Sequence, residues 1–201
     1  MDEGPHVTPR PGRPAAASRE EAFEYAVGMY LRGRRIDLSV LASELKVGRT
    51  TVHRWFGTRE DLVVDILGWT AVALLADVES RVGGEGPRGL LDTFDRFNQE
   101  LLEVPALSTF LASERNSMDF LVRADRGPQP MLVDAIGGMI QREIDAGRYQ
   151  APVDSETMAY AIVRLAQSFL YADSATGIPV DHVRLRRIEA VLLGLTPDAT
   201  E

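Results

Sequence analysis

The sequence contains no cysteine, and Lys46 is the only lysine among its 22 basic side chains. Without cysteine the chain cannot form a disulfide scaffold, a thiolate nucleophile or a cysteine-ligated metal site. No uninterrupted apolar run approaches the roughly 18 residues that suggest a membrane span. The acidic, proline-containing N-terminus also lacks the apolar segment of a secretory signal peptide. These absences predict a cytoplasmic protein with no membrane contact.

Metal-binding and catalytic patterns are equally scarce. The three histidines, His6, His53 and His182, are far apart and not at ligand spacing, so no metal site is predicted. There is no G-x-S-x-G nucleophile motif. The acidic pair Glu20 and Glu21 fits the first turn of a helix, where the helix dipole favours negative charge. We therefore predict that the chain is not an enzyme and that it holds no cofactor.

Charge is unevenly distributed along the chain, whose net charge is −8. Residues 1–59 contain ten basic and seven acidic side chains, whereas residues 60–201 contain twelve basic and twenty-three acidic ones. A basic end on an acidic body can bind phosphate at that end while the body repels a polyanion. Taken alone, the asymmetry is only weak support for nucleic-acid binding.

Apolar residues recur at three- and four-residue steps through most of the chain, and no segment alternates as a strand does. We therefore predict an all-α fold of about nine helices. Their approximate bounds are residues 18–32, 38–45, 49–56, 58–82, 87–103, 105–110, 131–146, 155–175 and 181–195. Residues 115–130 are less regular and are left without a helix.

The most informative segment is residues 38–62, where a turn containing Gly48 separates two short helices. This arrangement is typical of a helix-turn-helix, whose second helix enters the major groove of DNA by its N-terminus. The side chains predicted to pack inward are apolar: Leu38, Leu41, Ala42, Leu45, Val47, Val52 and Phe56. On apolar spacing alone, any compact three-helix bundle is an equally good interpretation.

The residue order across the second helix decides between these interpretations. Residues 51–62, TVHRWFGTREDL, resemble the TetR family of bacterial regulators, whose usual pattern is T-(L/V)-Y-x-(H/Y)-F-x-(S/N)-K-x-x-L. The matching residues are Thr51, Val52, Phe56, Leu62 and, in the preceding helix, Ala42. Arg59 stands where the family has a phosphate-contacting lysine. The resemblance implies a dimeric DNA-binding regulator with an effector pocket behind its head.

Three positions depart from the family pattern. His53 replaces a phosphate-contacting tyrosine, Trp55 replaces a histidine or tyrosine, and Gly48 stands where serine is common. Arg49 can bind guanine or phosphate, and threonine methyl groups can contact thymine. The full set of predicted DNA-binding residues is Arg13, Lys46, Arg49, Thr50, Thr51, His53, Arg54, Trp55 and Arg59. The departures put individual contacts in doubt but leave the fold intact.

Residues 1–17 are rich in proline and poor in apolar side chains, so we predict a disordered basic arm. Residues 10–14, RPGRP, are similar to the core of an AT-hook, which places an arginine such as Arg13 in a narrow minor groove. The alternative is a disordered tail whose two arginines add only non-specific affinity.

Behind the head, the resemblance implies helices that enclose an effector and a last pair of long helices that forms a four-helix bundle with a second copy. Helix 155–175 is apolar nearly all round, which predicts burial on both sides. Its polar stripe, Tyr160, Arg164, Gln167, Ser168 and Tyr171, either pairs within the protein or across the dimer, or faces the pocket. The candidate pocket residues are Trp69, Phe94, Asn98, Phe110, Met118, Met139, Arg164 and Gln167.

Residues 146–173, AGRYQAPVDSETMAYAIVRLAQSFLYAD, resemble the regulatory domain of the QsdR-like branch of the TetR family. That branch is associated with control of lactone-degrading functions, but the resemblance assigns no ligand to this chain.

Together these observations predict an arm at residues 1–17, a helix-turn-helix domain at 18–62 and a ligand-binding and dimerisation domain at 63–201. The expected function is a homodimeric repressor that a small-molecule effector releases from a pseudo-palindromic operator. An activator or a protein-responsive regulator of the same fold is the nearest alternative. A helical ligand carrier or enzyme is the alternative from a different class.

Overall fold

The computed structural model describes residues 17–114, 117–123, 125–170 and 181–196, and all regular secondary structure in these ranges is helical. The helices are α1 (Arg19–Leu31), α2 (Leu38–Glu44), α3 (Arg49–Phe56), α4 (Arg59–Val82), α5 (Gly86–Glu103), α6 (Pro105–Ser113), α7 (Ser117–Leu121), α8 (Pro128–Asp145), α9 (Ser155–Leu170) and α10 (His182–Leu192). The predicted all-α fold is confirmed.

Helices α1 to α3 form a small head, in which side chains cap the starts of α1 and α2. Ser18 and Glu21 form a reciprocal capping box at α1, which satisfies two backbone N–H groups that would otherwise lack partners. Asp37 caps α2 by accepting hydrogen bonds from two backbone amides. Val52 and Phe56 bury one side of α3 against this head, with exposures of 0% and 1%. The opposite side of α3 is thereby left in solvent.

Helix α4 joins the head to the body without a break. Thr58 and Asp61 form a capping box at its start, and α4 then continues for 24 residues. It therefore crosses the predicted domain boundary between residues 62 and 63. The buried apolar residues of head and body form one continuous core, so a displacement of α4 moves both parts of the chain.

The body packs around α4, α5, α8, α9 and α10. Helix α4 lies against α5 and α8, α9 lies against α8 and α10, and α10 returns to α5. Helix α4 and the start of α8 approach closely at two glycines, since a Cβ atom on Gly68 would lie only 2.8 Å from the carbonyl carbon of Gly127. None of the helices in the described ranges has both the length and the apolar character needed to cross a membrane.

Four predicted boundaries need correction. Helix α6 continues to Ser113 and does not end at residue 110, and α10 ends at Leu192 and not at residue 195. The irregular stretch 115–130 contains the short helix α7, which is only five residues long and too brief to show periodicity. Helix α8 begins at Pro128 and not at residue 131, because proline is well suited to the first helical position. Residues 1–16, with Arg13, and residues 171–175 of the predicted helix 155–175 lie outside the described part of the chain.

Candidate nucleic-acid interface and internal chambers

The outer side of α3 presents a polar, basic surface. Arg49, Thr50, His53 and Arg54 are exposed on it, and Lys46 is exposed in the turn before it. This turn is tight because Lys46 adopts a positive φ of 54°. The exposed N-terminal end of α3 has no side-chain cap, so its free N–H groups and positive dipole end favour a phosphate.

Two other predicted DNA-binding residues of α3 are less available. Thr51 and Trp55 are half-buried, and the Trp55 ring packs edge-on against Phe56 at 6.2 Å between ring centroids. The ring nitrogen Nδ1 of His53 lies 3.1 Å from the carbonyl oxygen of Gly57, which leaves Nε2 as the atom that can face a phosphate. Arg19 supports this end of α3, since its Nε donates to the Trp55 carbonyl oxygen.

Arg59, which is predicted to contact phosphate, is paired within the protein in this structure. Its Nε donates to the Ile36 carbonyl oxygen at 2.8 Å, and its guanidinium forms an ion pair with Glu114 at the end of α6. The side chain is only 19% exposed. Arg59 therefore ties the head to the body, because it links the loop before α2, the start of α4 and the end of α6.

A narrow pocket in the body, the inner chamber, lies between α5, α8, α9 and α10. Its volume is about 30 Å³, which is room for two or three waters. Most of its walls are apolar, and Asn98, Gln167 and Glu189 supply the polar groups. The complete wall is Phe94, Phe97, Asn98, Leu101, Leu121, Pro128, Leu132, Ile136, Ile162, Val163, Ala166, Gln167, Leu170 and Glu189.

Glu189 is the residue of this chamber that sequence analysis missed. Its side chain is fully buried, Oε1 accepts a hydrogen bond from the Asn98 amide at 3.2 Å, and Oε2 has no hydrogen-bond partner. Burial raises the pKa of the carboxyl to about 8; nearby Asp95 adds to the rise, while Asn98 and Arg186 oppose it. The periodicity could have revealed Glu189, because it occupies a position of α10 that faces the core.

A second cavity, the outer chamber, lies where α1, α4, α6, α7 and α8 meet. Its volume is about 210 Å³. Its walls are Tyr30, Leu31, Leu67, Thr70, Ala71, Leu74, Leu101, Val104, Leu107, Leu121, Pro128 and Leu132. Four of these residues also line the inner chamber, so the two chambers are separated by single side chains.

The chambers include some of the predicted pocket residues and exclude others. Phe94, Asn98 and Gln167 line the inner chamber. Trp69 lies instead on the surface, 47% exposed and edge-on to Phe23 of α1, because its position on α4 points away from the body. The side chain of Met118 lies outside the described residues.

Phe110 and Met139 also lie away from both chambers. Phe110 contacts Phe120 with ring centroids 5.5 Å apart, and it borders a separate cleft between head and body. Met139 is buried in the core of α8. Both residues are apolar core, which periodicity alone cannot separate from the wall of a cavity.

The polar stripe of α9 divides between two environments. Gln167 turns inward, where its amide nitrogen donates to the Leu121 carbonyl oxygen at 3.0 Å. Arg164 turns outward but holds Gln167 and Gln129 through hydrogen bonds of 3.1 Å to their amide oxygens. Tyr160 is 52% exposed on the outer face of α9. Arg164 is therefore a support behind the inner chamber and not part of its wall.

Comparison with known proteins identifies the fold. Residues 85–194 match the family model described as the tetracyclin repressor-like C-terminal domain. This segment is more than half of the chain and contains every helix from α5 to α10. The chain belongs to the TetR family. The predicted membership of the TetR family is thereby confirmed, and the helix-turn-helix head is the DNA-binding unit of that fold.

One solved structure extends the likeness to most of the chain. The transcriptional repressor QsdR from R. erythropolis superposes with a TM-score of 0.85 and 26% sequence identity, over 91% of this chain and 97% of its own. The fatty acid degradation regulator FadR from Bacillus halodurans gives a TM-score of 0.49 and 11% identity, over 92% of this chain and 97% of its own. No curated protein sequence matches the chain. The predicted likeness to the QsdR-like branch is confirmed by the first of these structures.

Proposed function

We propose that this TetR-family regulator represses transcription as a homodimer, and that a small molecule bound inside the body releases it from a pseudo-palindromic operator. The observation that carries the proposal is the exposed polar face of α3 on a firmly capped head. Helix α3 is rigid because Val52 and Phe56 anchor it, and its free N-terminus bears Arg49 and Thr50. A helix held in this way is suited to the major groove.

The outer faces of α9 and α10 support a dimer. Large apolar side chains remain in solvent there: Tyr160 is 52%, Val183 62%, Ile188 36% and Val191 59% exposed. Exposed apolar residues concentrated on one face are typical of a protein interface. A second copy packed on this face by two-fold symmetry would set two α3 helices side by side, about one DNA turn apart.

The route from ligand to DNA runs through α4 and the Arg59 contacts. The outer chamber is bordered by α4 and by α6, the helix that ends near the Glu114 partner of Arg59. A ligand that separates these helices shifts α4 and therefore the head on which α3 sits. Release requires the ligand to bind the shifted state more tightly than the DNA-binding state, since equal affinity would move nothing.

A titration of the full-length protein with duplex DNA from immediately upstream of its own gene tests this proposal. We expect binding that resists excess competitor DNA, at both low and moderate salt, with two protomers per operator. A protein that merely has a basic end would lose all binding to competitor or to moderate salt. Loss of all DNA binding under these conditions, together with ligand binding that is unaffected by substitutions in α3, would instead favour a ligand carrier.

Arg49→Ala and Thr50→Ala are expected to weaken specific binding by about 1–3 kcal/mol each, because both side chains lie at the end of α3 that enters the groove. Anisotropy titrations on the same operator give the difference. Arg96→Ala is the matched control, because Arg96 is an exposed arginine of the body that pairs with Glu100. Unchanged affinity in both α3 variants would contradict the assignment of α3.

A further inference from the structure

Within the part of the chain that the structure describes, one polar atom of the inner chamber is buried without a hydrogen-bond partner. The Asn98 amide donates to Oε1 of Glu189, and the Gln167 amide donates to the Leu121 carbonyl oxygen. Oε2 of Glu189 has no partner, although the side chain is fully buried. A buried polar atom of this kind is costly unless a ligand or a water satisfies it.

The state of Glu189 defines the complementary group. Since burial raises its pKa to about 8, the carboxyl carries a proton at neutral pH, and with Oε1 bonded to Asn98 the proton on Oε2 can be donated. The natural acceptor is an uncharged oxygen such as a carbonyl. None of the residues that line the described chamber is Lys, Arg or His, so an ionised carboxylate would enter without a counter-charge.

The outer chamber adds an apolar extension to this polar end. Leu101, Leu121, Pro128 and Leu132 line both chambers. Beyond them the walls are aliphatic except for Tyr30 and Thr70, and the Thr70 hydroxyl already donates to backbone carbonyl oxygens of α4. An unbranched alkyl chain would bury its methylene groups here, and each buried CH₂ is favourable.

We propose that the two chambers bind one uncharged amphiphile, whose carbonyl oxygen accepts a hydrogen bond from Glu189 and whose alkyl chain passes Leu101 and Leu132 to reach α1 and α4. This inference rests on the proposed ligand-released repressor and names the chemistry of its effector. The far end of the chain lies against Leu31 of α1 and Leu74 of α4, at the joint between head and body. Chain length then decides whether a bound ligand displaces the head.

Three probes with equal chains test the polar end: 2-decanone, decanoate and decylammonium. Calorimetric titration of the full-length protein at pH 7 is expected to show 2-decanone binding at least tenfold more tightly than either ion. Tighter binding of decanoate would contradict the proposal that the polar group of the ligand is uncharged. Tighter binding of decylammonium would show that Glu189 acts as an anion.

The pH dependence tests the role of Glu189 itself. The charged groups that act on it are Asp95 of α5 and Arg186 of α10, and Arg186 is held by Asp92 and Asp95. Between pH 7 and pH 9 the wild-type affinity for 2-decanone is expected to fall about tenfold as Glu189 loses its proton. Glu189→Gln keeps a donor and should bind equally at both pH values. If the affinity of the variant for 2-decanone falls equally between pH 7 and pH 9, Glu189 does not contact the ligand.

Filling the outer chamber tests the path of the chain. Leu74→Trp narrows the chamber and is expected to lower the affinity for 2-decanone at least tenfold while 2-pentanone still binds, which also shows that the variant is folded. Ala73→Trp is the matched control, because Ala73 is exposed on the solvent side of the same helix. Undiminished 2-decanone binding to Leu74→Trp would place the chain elsewhere.

These measurements do not depend on DNA. If 2-decanone binds as described but no operator is found, the chambers are assigned correctly and the repressor function fails. If the operator is bound and none of the three probes binds, the repressor function stands and the effector chemistry proposed here is wrong.

Discussion

Glu189→Gln is expected to stabilise the protein, and the gain should increase from pH 5 to pH 8. In the unfolded chain this carboxyl ionises near its ordinary pKa of 4.5, whereas burial holds the proton in the folded protein up to about pH 8. Unfolding therefore releases a proton in this window, so stability falls as pH rises through it. Above pH 8 the carboxyl is ionised in both states, and the folded protein bears the full free-energy cost of burying the charged carboxylate.

The size of this effect follows from the shift in pKa. Each unit corresponds to about 1.4 kcal/mol, so the gain should approach about 3–5 kcal/mol at pH 8. Urea unfolding of both proteins at pH 5, 6, 7 and 8 measures it, and the histidines common to both cancel in the difference.

A second carboxyl of the body provides the control. Glu143 pairs with Arg148, and that hydrogen bond lowers its pKa to about 2. It is therefore ionised in both states above pH 5, so the change in stability caused by Glu143→Gln should be constant from pH 5 to 8. A constant difference for Glu189→Gln as well would show that Glu189 is not protonated in the folded protein.

Gly127→Ala should destabilise the protein by about 2–6 kcal/mol, from backbone strain and overpacking together. Gly127 has a φ of +90°, and a Cβ atom there would lie 2.1 Å from Cγ1 of Val64 and 3.0 Å from its carbonyl oxygen. Valine is stiff at χ1 and the carbonyl belongs to the α4 backbone, so neither atom can yield cheaply. Helices α4 and α8 would have to separate.

Gly147→Ala is the control for backbone strain alone. Gly147 also has a positive φ, +71°, but a Cβ atom there meets nothing within 4 Å. We expect it to cost only about 1–2 kcal/mol. Denaturant midpoints and slopes of the two variants and the wild type give the comparison. Equal losses would mean that the α4–α8 contact at Gly127 is looser than its geometry indicates.

The head was predictable from sequence because each of its features is local. Caps, small turn residues and apolar steps of three and four fix α1 to α3 within a residue or two, as Ser18 and Asp37 illustrate. The surface character of α3 follows directly, because burial of Val52 and Phe56 leaves the remaining side exposed. Such local rules need no knowledge of distant partners.

The ligand chambers and the Arg59 contacts were not predictable in the same way. Glu114 meets Arg59 across 55 positions of the chain, and Asn98 meets Glu189 across 91. The spacing of apolar residues along the sequence does not show which distant side chains form these pairs. Aromatic residues such as Trp69 and Phe110 have the composition of a pocket wall, but only the packing of helices decides which of them faces a cavity and which fills the core.

The central claim is that two α3 helices of a dimer bind a specific DNA sequence. Selection of protein-bound duplexes from a random-sequence library tests it without any assumption about where the operator lies. The account predicts enrichment of an inverted repeat whose half-sites are about ten base pairs apart, and loss of that enrichment in Arg49→Ala. A bound pool with no common sequence, or one unchanged by Arg49→Ala, would contradict it.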